Sequence, residues 1–351
     1  MADIYDMTRR ATMHGMEADV KAKLDQMIEE EEGQIQKNVS IIQTGQVCKR
    51  WRSVACSPLL WKFVSFRPNY GGIQVVNHEY FLQLIGTRFT ELRYVELATD
   101  LITPSVLYEM SNKKVYTFIS SVELLHIIGT YEKVEDEEEE VYETINIFKL
   151  KQFVPNLRVV NLWGVPFITD EHVDAISSNC ARLECLCINY CTKVEGSCLK
   201  HVLQRCKGLK SLFLAHTTLD NATIKAIDWE KTKIEELDVK GTELSSDTLI
   251  SLLTRLPVIV MGIAEDCCPK VAAKIHVDQF IDCIAQHCPR LTRLEIRWDD
   301  DTLRFSDKSS KFIDVLRMKC LKLHSIVLSD GQYYELVRSN FERADRMSVV
   351  R

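Results

Sequence analysis

Four times between residues 157 and 239 an apolar residue is followed three positions later by a second, and two positions after that by a third. The sets are Leu157-Val160-Leu162, Leu183-Leu186-Ile188, Leu209-Leu212-Leu214 and Ile234-Leu237-Val239, at intervals of 26, 26 and 25 residues. Self-similarity at such a period means that each unit is one supersecondary element, unable to bury its apolar face alone and therefore stacked on its neighbours. The final two-residue step is the period of a strand. The stretch Thr169-Asp170-Glu171-His172-Val173-Asp174-Ala175-Ile176 predicts the helix that returns the chain. Thr169 or Asp170 serves as N-cap, acidic residues occupy the first turn, and Val173 and Ile176 face the strand layer.

Weaker units extend the array in both directions. Leu92-Val95-Leu97 and Val122-Leu125-Ile127 precede the regular ones, and Val258-Met261-Ile263, Leu291-Leu294-Ile296 and Leu323-Ile326-Leu328 come after them, making nine. Gaps of 35, 33 and 32 residues, at 122 to 157, 258 to 291 and 291 to 323, predict loop insertions. The first carries Glu135-Asp136-Glu137-Glu138-Glu139-Glu140, a self-repelling block expected in a solvated loop. Tyr333-Tyr334-Glu335-Leu336-Val337 and the C-terminal residues after it form the expected cap, with residues 341–351 as a tail prone to disorder.

With 351 residues and 46% hydrophobic content the chain can bury a large core. It has no apolar run long enough to span a bilayer, and its start, Met1-Ala2-Asp3-Ile4-Tyr5-Asp6, lacks the character of a secretory signal. Thirteen cysteines without a signal predict reduced thiols and a cytoplasmic or nuclear location. A net charge of −6 gives no electrostatic reason to expect nucleic acid or an anionic membrane as partner.

Ahead of the array lies Val47-Cys48-Lys49-Arg50-Trp51-Arg52-Ser53-Val54-Ala55-Cys56-Ser57-Pro58-Leu59-Leu60-Trp61. Its apolar spacing predicts a helix carrying Val47, Trp51, Val54 and Ala55, then a break at Ser57-Pro58 and a short apolar turn. This order resembles the second half of an F-box, the helical module by which substrate receptors dock onto SCF-type cullin ubiquitin ligases. Ile41 and Ile42 match the start of the middle helix, so the resemblance covers residues 38–66. Before it, Leu24-Asp25-Gln26-Met27-Ile28-Glu29-Glu30-Glu31-Glu32-Gly33 lacks the Leu-Pro opening and puts glutamates at positions expected to be partly apolar. The first half is therefore degenerate or missing: either the segment is an alternative start, or part of the docking surface has been lost. The repeat resembles leucine-rich repeats, and Cys180, Cys206 and Cys288, each three residues before the next leucine, match the cysteine-containing type of the F-box and leucine-rich-repeat family.

The implied fold is α/β: a curved leucine-rich-repeat solenoid, with parallel strands on the concave face and helices outside, after a small α-helical partial F-box. The expected organisation is an acidic N-terminal segment over 1–37, the partial F-box over 38–66, the solenoid over 67–340 and the tail. The resemblance implies a non-catalytic substrate-recognition adaptor whose partners are the SKP linker protein, a cullin scaffold and a protein substrate. Val47, Cys48, Trp51, Pro58, Leu60 and Trp61 would contact the linker. The alternative is an interaction scaffold or inhibitor outside the ligase system.

Strand parity puts a second set of residues on the face opposite the leucines. Asn161, Trp163, Asn189, Phe213, Asp238, Lys240 and Arg297 belong to this concave set, and would bind substrate, since aromatic and Arg side chains carry much interface energy. No cofactor or metal is expected. Cys180, Cys185, Cys187, Cys191, Cys198, His201 and Cys206 are spread over helix ends, a strand and a loop, whereas zinc needs converging ligands. Cys267-Cys268-Pro269 and Cys283 with His287 and Cys288 are similarly ambiguous, and Asp299-Asp300-Asp301 lacks an EF-hand order. No phosphate-binding glycine loop is present, and no Cys–His nucleophile arrangement can be recognised.

Overall fold

In a computed structural model of the chain, the middle residue of each of the nine predicted apolar sets lies on a strand and is paired in register with its neighbours. The structure describes residues 41–66, 73–75, 91–98, 124–128, 156–165, 167–178, 180–242, 244–256, 258–264, 275–297, 303–329, 331–342 and 348–350. The 1–37 segment, the acidic block, Cys267-Cys268 and Asp299-Asp300-Asp301 lie outside them. The chain divides into two compact units, one of residues 22–193 and 201–209, the other of residues 194–200 and 210–351 with 1–21.

The first unit contains strands β1 (Phe63–Ser65), β2 (Tyr94–Ala98), β3 (Leu124–Ile128), β4 (Val159–Asn161) and β5 (Cys185–Cys187), each parallel to the next. Val64 is in register with Val95, Val95 with Leu125, Leu125 with Val160, and Val160 with Leu186. Strand β1 was not among the nine expected, yet Trp61-x-x-Val64-x-Phe66 has the same three-then-two spacing, and all three residues are buried. The helical segment that resembles an F-box thus runs directly into the first strand of the stack. Helix α1 (Lys49–Ala55) precedes β1, and α2 (Asp170–Ser177) follows β4. Thr169 is the N-cap of α2 and Val173 and Ile176 are buried, as expected. In α3 (Leu199–Arg205), Arg205 reaches back to Asp174 at 2.9 Å.

The second unit repeats the scheme. Its strands β6 (Ser211–Phe213), β7 (Glu236–Asp238), β8 (Val260–Ala264), β10 (Arg293–Arg297), β12 (Ser325–Leu328) and β13 (Ser348–Val350) are joined in that order, all parallel. Leu212, Leu237, Met261, Leu294, Ile326 and Val349 form one register row. The expected tail therefore contributes a strand. Helices α4 (Asn221–Lys225), α5 (Ser246–Arg255), α6 (Val277–His287), α7 (Ser309–Lys319) and α8 (Gln332–Glu342) alternate with these strands. On α5, Ser245 caps the N-terminus, and Leu249, Leu252 and Leu253 are buried at three- and four-residue spacing. The two long gaps after residue 258, expected to be loops, each include a short strand. β9 (Ile275–His276) and β11 (Leu303–Arg304) pair in parallel with each other.

Helix-end cysteines tie consecutive repeats together. Cys206 Sγ donates to the Cys180 carbonyl at 3.3 Å in the first unit, and Cys320 Sγ to the Cys288 carbonyl at 3.3 Å in the second. Cys320 sits three residues before Leu323 and extends the cysteine pattern by one repeat. Burial pushes the Cys180 and Cys288 thiols up to about 12, and those of Cys206 and Cys320 up to about 11. They are small, protonated core residues.

Candidate protein-docking site

The chain around residue 48 is held in a helix–break–helix shape by short-range bonds. Residues 41–47 are helical; Cys48 is extended and caps α1, its Sγ accepting from the Trp51 N–H at 3.5 Å. The single helix expected to carry both Val47 and Trp51 is therefore two, broken at the cap. Gly45 allows the two to cross closely, because a Cβ there would stand 3.1 Å from the Ala55 Cβ. Arg52 Nε donates to the Gly45 carbonyl at 3.3 Å. Pro58 then starts a 3-10 turn over Pro58–Leu60, its fixed φ suiting the first helical position.

The surface this shape leaves in solvent is strongly apolar. Val47 is 73% exposed, Trp51 54%, Val54 61%, Leu59 66% and Leu60 37%. Val54 and Leu59 are absent from the set expected from sequence; Val54 lies three positions after Trp51, and that spacing is the signal that points to it. Cys48 is exposed at the cap and Pro58 half-buried. Trp61, expected at the docking surface, is instead 1% exposed. Its indole N–H donates to the Ala55 carbonyl at 2.8 Å, and its ring belongs to the sheet core as the first residue of the Trp61-Val64-Phe66 set.

The concave set splits between the two units. In the first, Asn161 Oδ1 accepts from the Trp163 N–H at 3.0 Å, and Trp163 packs edge-on against Tyr190 with centroids 5.3 Å apart. Trp163 and Asn189 are both buried. The chain leaves these strands through left-handed turns at Gly164 (φ 68°) and Tyr190 (φ 63°), a conformation that costs a side chain such as tyrosine.

In the second unit Phe213 and Asp238 are buried, and Arg297 stands in register with Ala264, its side chain outside the described residues. Lys240 Nζ lies 3.3 Å from Asp238 Oδ2 and 3.3 Å from Glu295 Oε1; Arg293 Nη2 lies 3.6 Å from Glu295 Oε2. Gly262, in register between Asp238 and Glu295, makes this bridge possible, since a Cβ there would meet Asp238 Oδ1 at 2.8 Å. Burial raises the Asp238 carboxyl above the usual range, against the pull of the Lys240 ammonium. Burial opposes the charge on Lys240, but Asp238 and Glu295 outweigh it and raise its pKa. Of the expected concave set, Trp163, Asn189, Phe213 and Asp238 are thus buried, and Asn161 and Lys240 are half-buried.

Among the described residues no group of three or more His, Cys, Asp or Glu side chains is arranged to hold a metal ion, and no helix is long and apolar enough to cross a membrane.

These features can be set beside known proteins. The family described as F-box-like matches residues 37–67, so the helix–break–turn and the strand that follows it form an F-box-like domain. Beyond that domain the chain is an α/β, leucine-rich-repeat-like alternation of parallel strands and helices. No curated protein matches the chain by sequence. A solved structure similar to it is the crystal structure of the Rad7 and Elc1 complex in yeast, with 12% sequence identity and a TM-score of 0.43, covering 100% of this chain and 98% of that one.

Proposed function

We propose that the chain is a substrate-recognition adaptor of an SCF-type cullin ubiquitin ligase, docking on the SKP linker protein through its F-box-like domain and binding a target protein through the repeats. The observation that carries this reading is the exposed apolar row Val47, Trp51, Val54, Leu59 and Leu60 within the stretch that matches the F-box-like family. Five large apolar side chains in water beside a folded core mark a protein-binding surface. Trp51 is the natural anchor, because large aromatics dominate interface energies. In this reading the chain brings two proteins together and performs no bond chemistry itself. Asn161, Trp163, Asn189, Phe213, Asp238, Lys240 and Arg297 remain the proposed target-binding set, with Lys240 and Asn161 its more accessible described members.

The test is direct binding of the purified chain to purified linker protein, with Trp51→Ala/Leu59→Ala as the comparison. The double variant removes two exposed anchors, each worth about 2 kcal/mol at a hot spot, so affinity should fall at least about a hundredfold. Its melting temperature should match the parent's, since neither side chain is buried. Absence of wild-type binding at micromolar concentration would refute the adaptor reading and leave the scaffold reading in its place.

A further inference from the structure

The docking face is also a charged face, and its charge is of one sign. Residues 41–66 contain Lys49, Arg50, Arg52 and Lys62 and not a single Asp or Glu, in a chain whose net charge is −6. Lys49, Arg50 and Arg52 are exposed. Arg52 is hydrogen-bonded to the Gly45 carbonyl, and none of the four basic residues forms an ion pair among the described residues. Elsewhere in the described chain arginine commonly finds a carboxylate, as in Arg158–Glu184 and Arg255–Glu230. Helix spacing places Arg50 one turn before Val54, at the edge of the Trp51–Val54 apolar row, and Lys49 and Arg52 one turn apart on the neighbouring face. An apolar centre with a polar rim is the usual layout of a protein interface.

We infer that the protein docking on α1 presents an acidic margin around an apolar centre, and that opposite charge steers the encounter. This inference rests on the adaptor reading above and adds to it the chemistry of the partner's surface. A protein surface is favoured over a polyanion, because the apolar row has no counterpart in a nucleic acid backbone and the rest of the chain is net acidic. Complementary charge acts mainly on the rate of association, whereas buried anchors act on dissociation.

The experiment measures association and dissociation rates with the purified linker protein at about 20 and about 300 mM salt, conditions that shorten the screening length from beyond to below the size of the face. Wild-type association should slow roughly tenfold across that range, as steered encounters do. Lys49→Glu/Arg50→Glu should slow low-salt association by at least about tenfold and remove most of its salt dependence, with dissociation changed far less. Lys49→Gln/Arg50→Gln should fall between the two. Trp51→Ala/Leu59→Ala should show the opposite split, fast release with steering intact. Wild-type binding that is salt-independent, or unaffected by charge reversal, overturns the inference while leaving the adaptor reading standing. No wild-type binding overturns both. Binding of single-stranded DNA or anionic vesicles through Lys49 and Arg50, in preference to the linker, overturns the inference in favour of a polyanionic partner.

Discussion

The Trp61 indole N–H donates to the carbonyl oxygen of Ala55 at 2.8 Å, so the last residue of α1 is bonded to the first residue of the repeat core. Trp61→Ala should remove both the bond and a buried ring, costing about 3–5 kcal/mol in denaturant unfolding. Trp61→Phe keeps most of the volume but leaves the Ala55 carbonyl without that donor, and should cost about 1–3 kcal/mol. Equal stability of all three proteins would show that the module and β1 do not depend on one another.

The register rows of the two units predict a second set of costs. Leu186, Leu212 and Leu237 each sit at the middle position of a strand and are almost fully buried. Truncation to Ala at any of them should destabilise its unit by about 2–5 kcal/mol through lost burial and cavity formation. Melting at the wild-type temperature would contradict the register.

The charged bridge of the second unit should show a pH signature. Lys240→Met leaves Asp238 and Glu295 buried without their shared cation, a change that costs about 3–5 kcal/mol when a buried pair is broken. The folded pKa of Asp238 is already raised, and losing Lys240 raises it further. A carboxyl with a raised folded pKa favours folding at acid pH and loses that contribution as pH rises through the folded value. The variant's deficit should therefore be largest near neutrality and shrink on acidification, read from urea unfolding across pH. Gly262→Ala, by crowding Asp238 Oδ1, should also destabilise, by about 1–3 kcal/mol.

A histidine gives the reverse slope in the first unit. His172 Nδ1 accepts from the Thr169 N–H at 3.2 Å, closing the capping box of α2, and burial lowers its pKa below the ordinary 6.5 against a smaller opposing effect of Glu171. With a depressed folded pKa, its contribution is present above the ordinary value and is lost as pH falls through the folded one. Protonated, Nδ1 can no longer accept. His172→Gln, which can close the same box, should keep neutral-pH stability and flatten this acid-side decline. An unchanged decline would assign it to other groups.

The strand positions were legible in the amino-acid order because their physical cause is local. The side chains packed between strands and helices are apolar, and the three-then-two spacing recurs at each of these strands. Trp61-Val64-Phe66 obeys that spacing but overlaps a helical motif, so one tryptophan satisfied two patterns at once, and only the fold decides that it is buried. The Asp238–Lys240–Glu295 bridge was illegible for another reason. Its partners are 55 residues apart in sequence, and they meet because Gly262 leaves the intervening strand bare at that point. Parity names the face a side chain occupies; how deeply neighbouring strands cover it depends on cross-strand neighbours less than 5 Å away, about the spacing of adjacent strands.

Buried, protonated thiols such as those of Cys180, Cys206, Cys288 and Cys320 are nearly inert to alkylating reagents, whereas Cys48 stands exposed at the cap of α1. Among the described cysteines only Cys48 is exposed, with Cys56 and Cys185 half-buried. The folded chain thus carries its own footprinting handle: maleimide uptake at Cys48 reports whether the apolar surface around Trp51 is open or covered, with no residue introduced for the purpose.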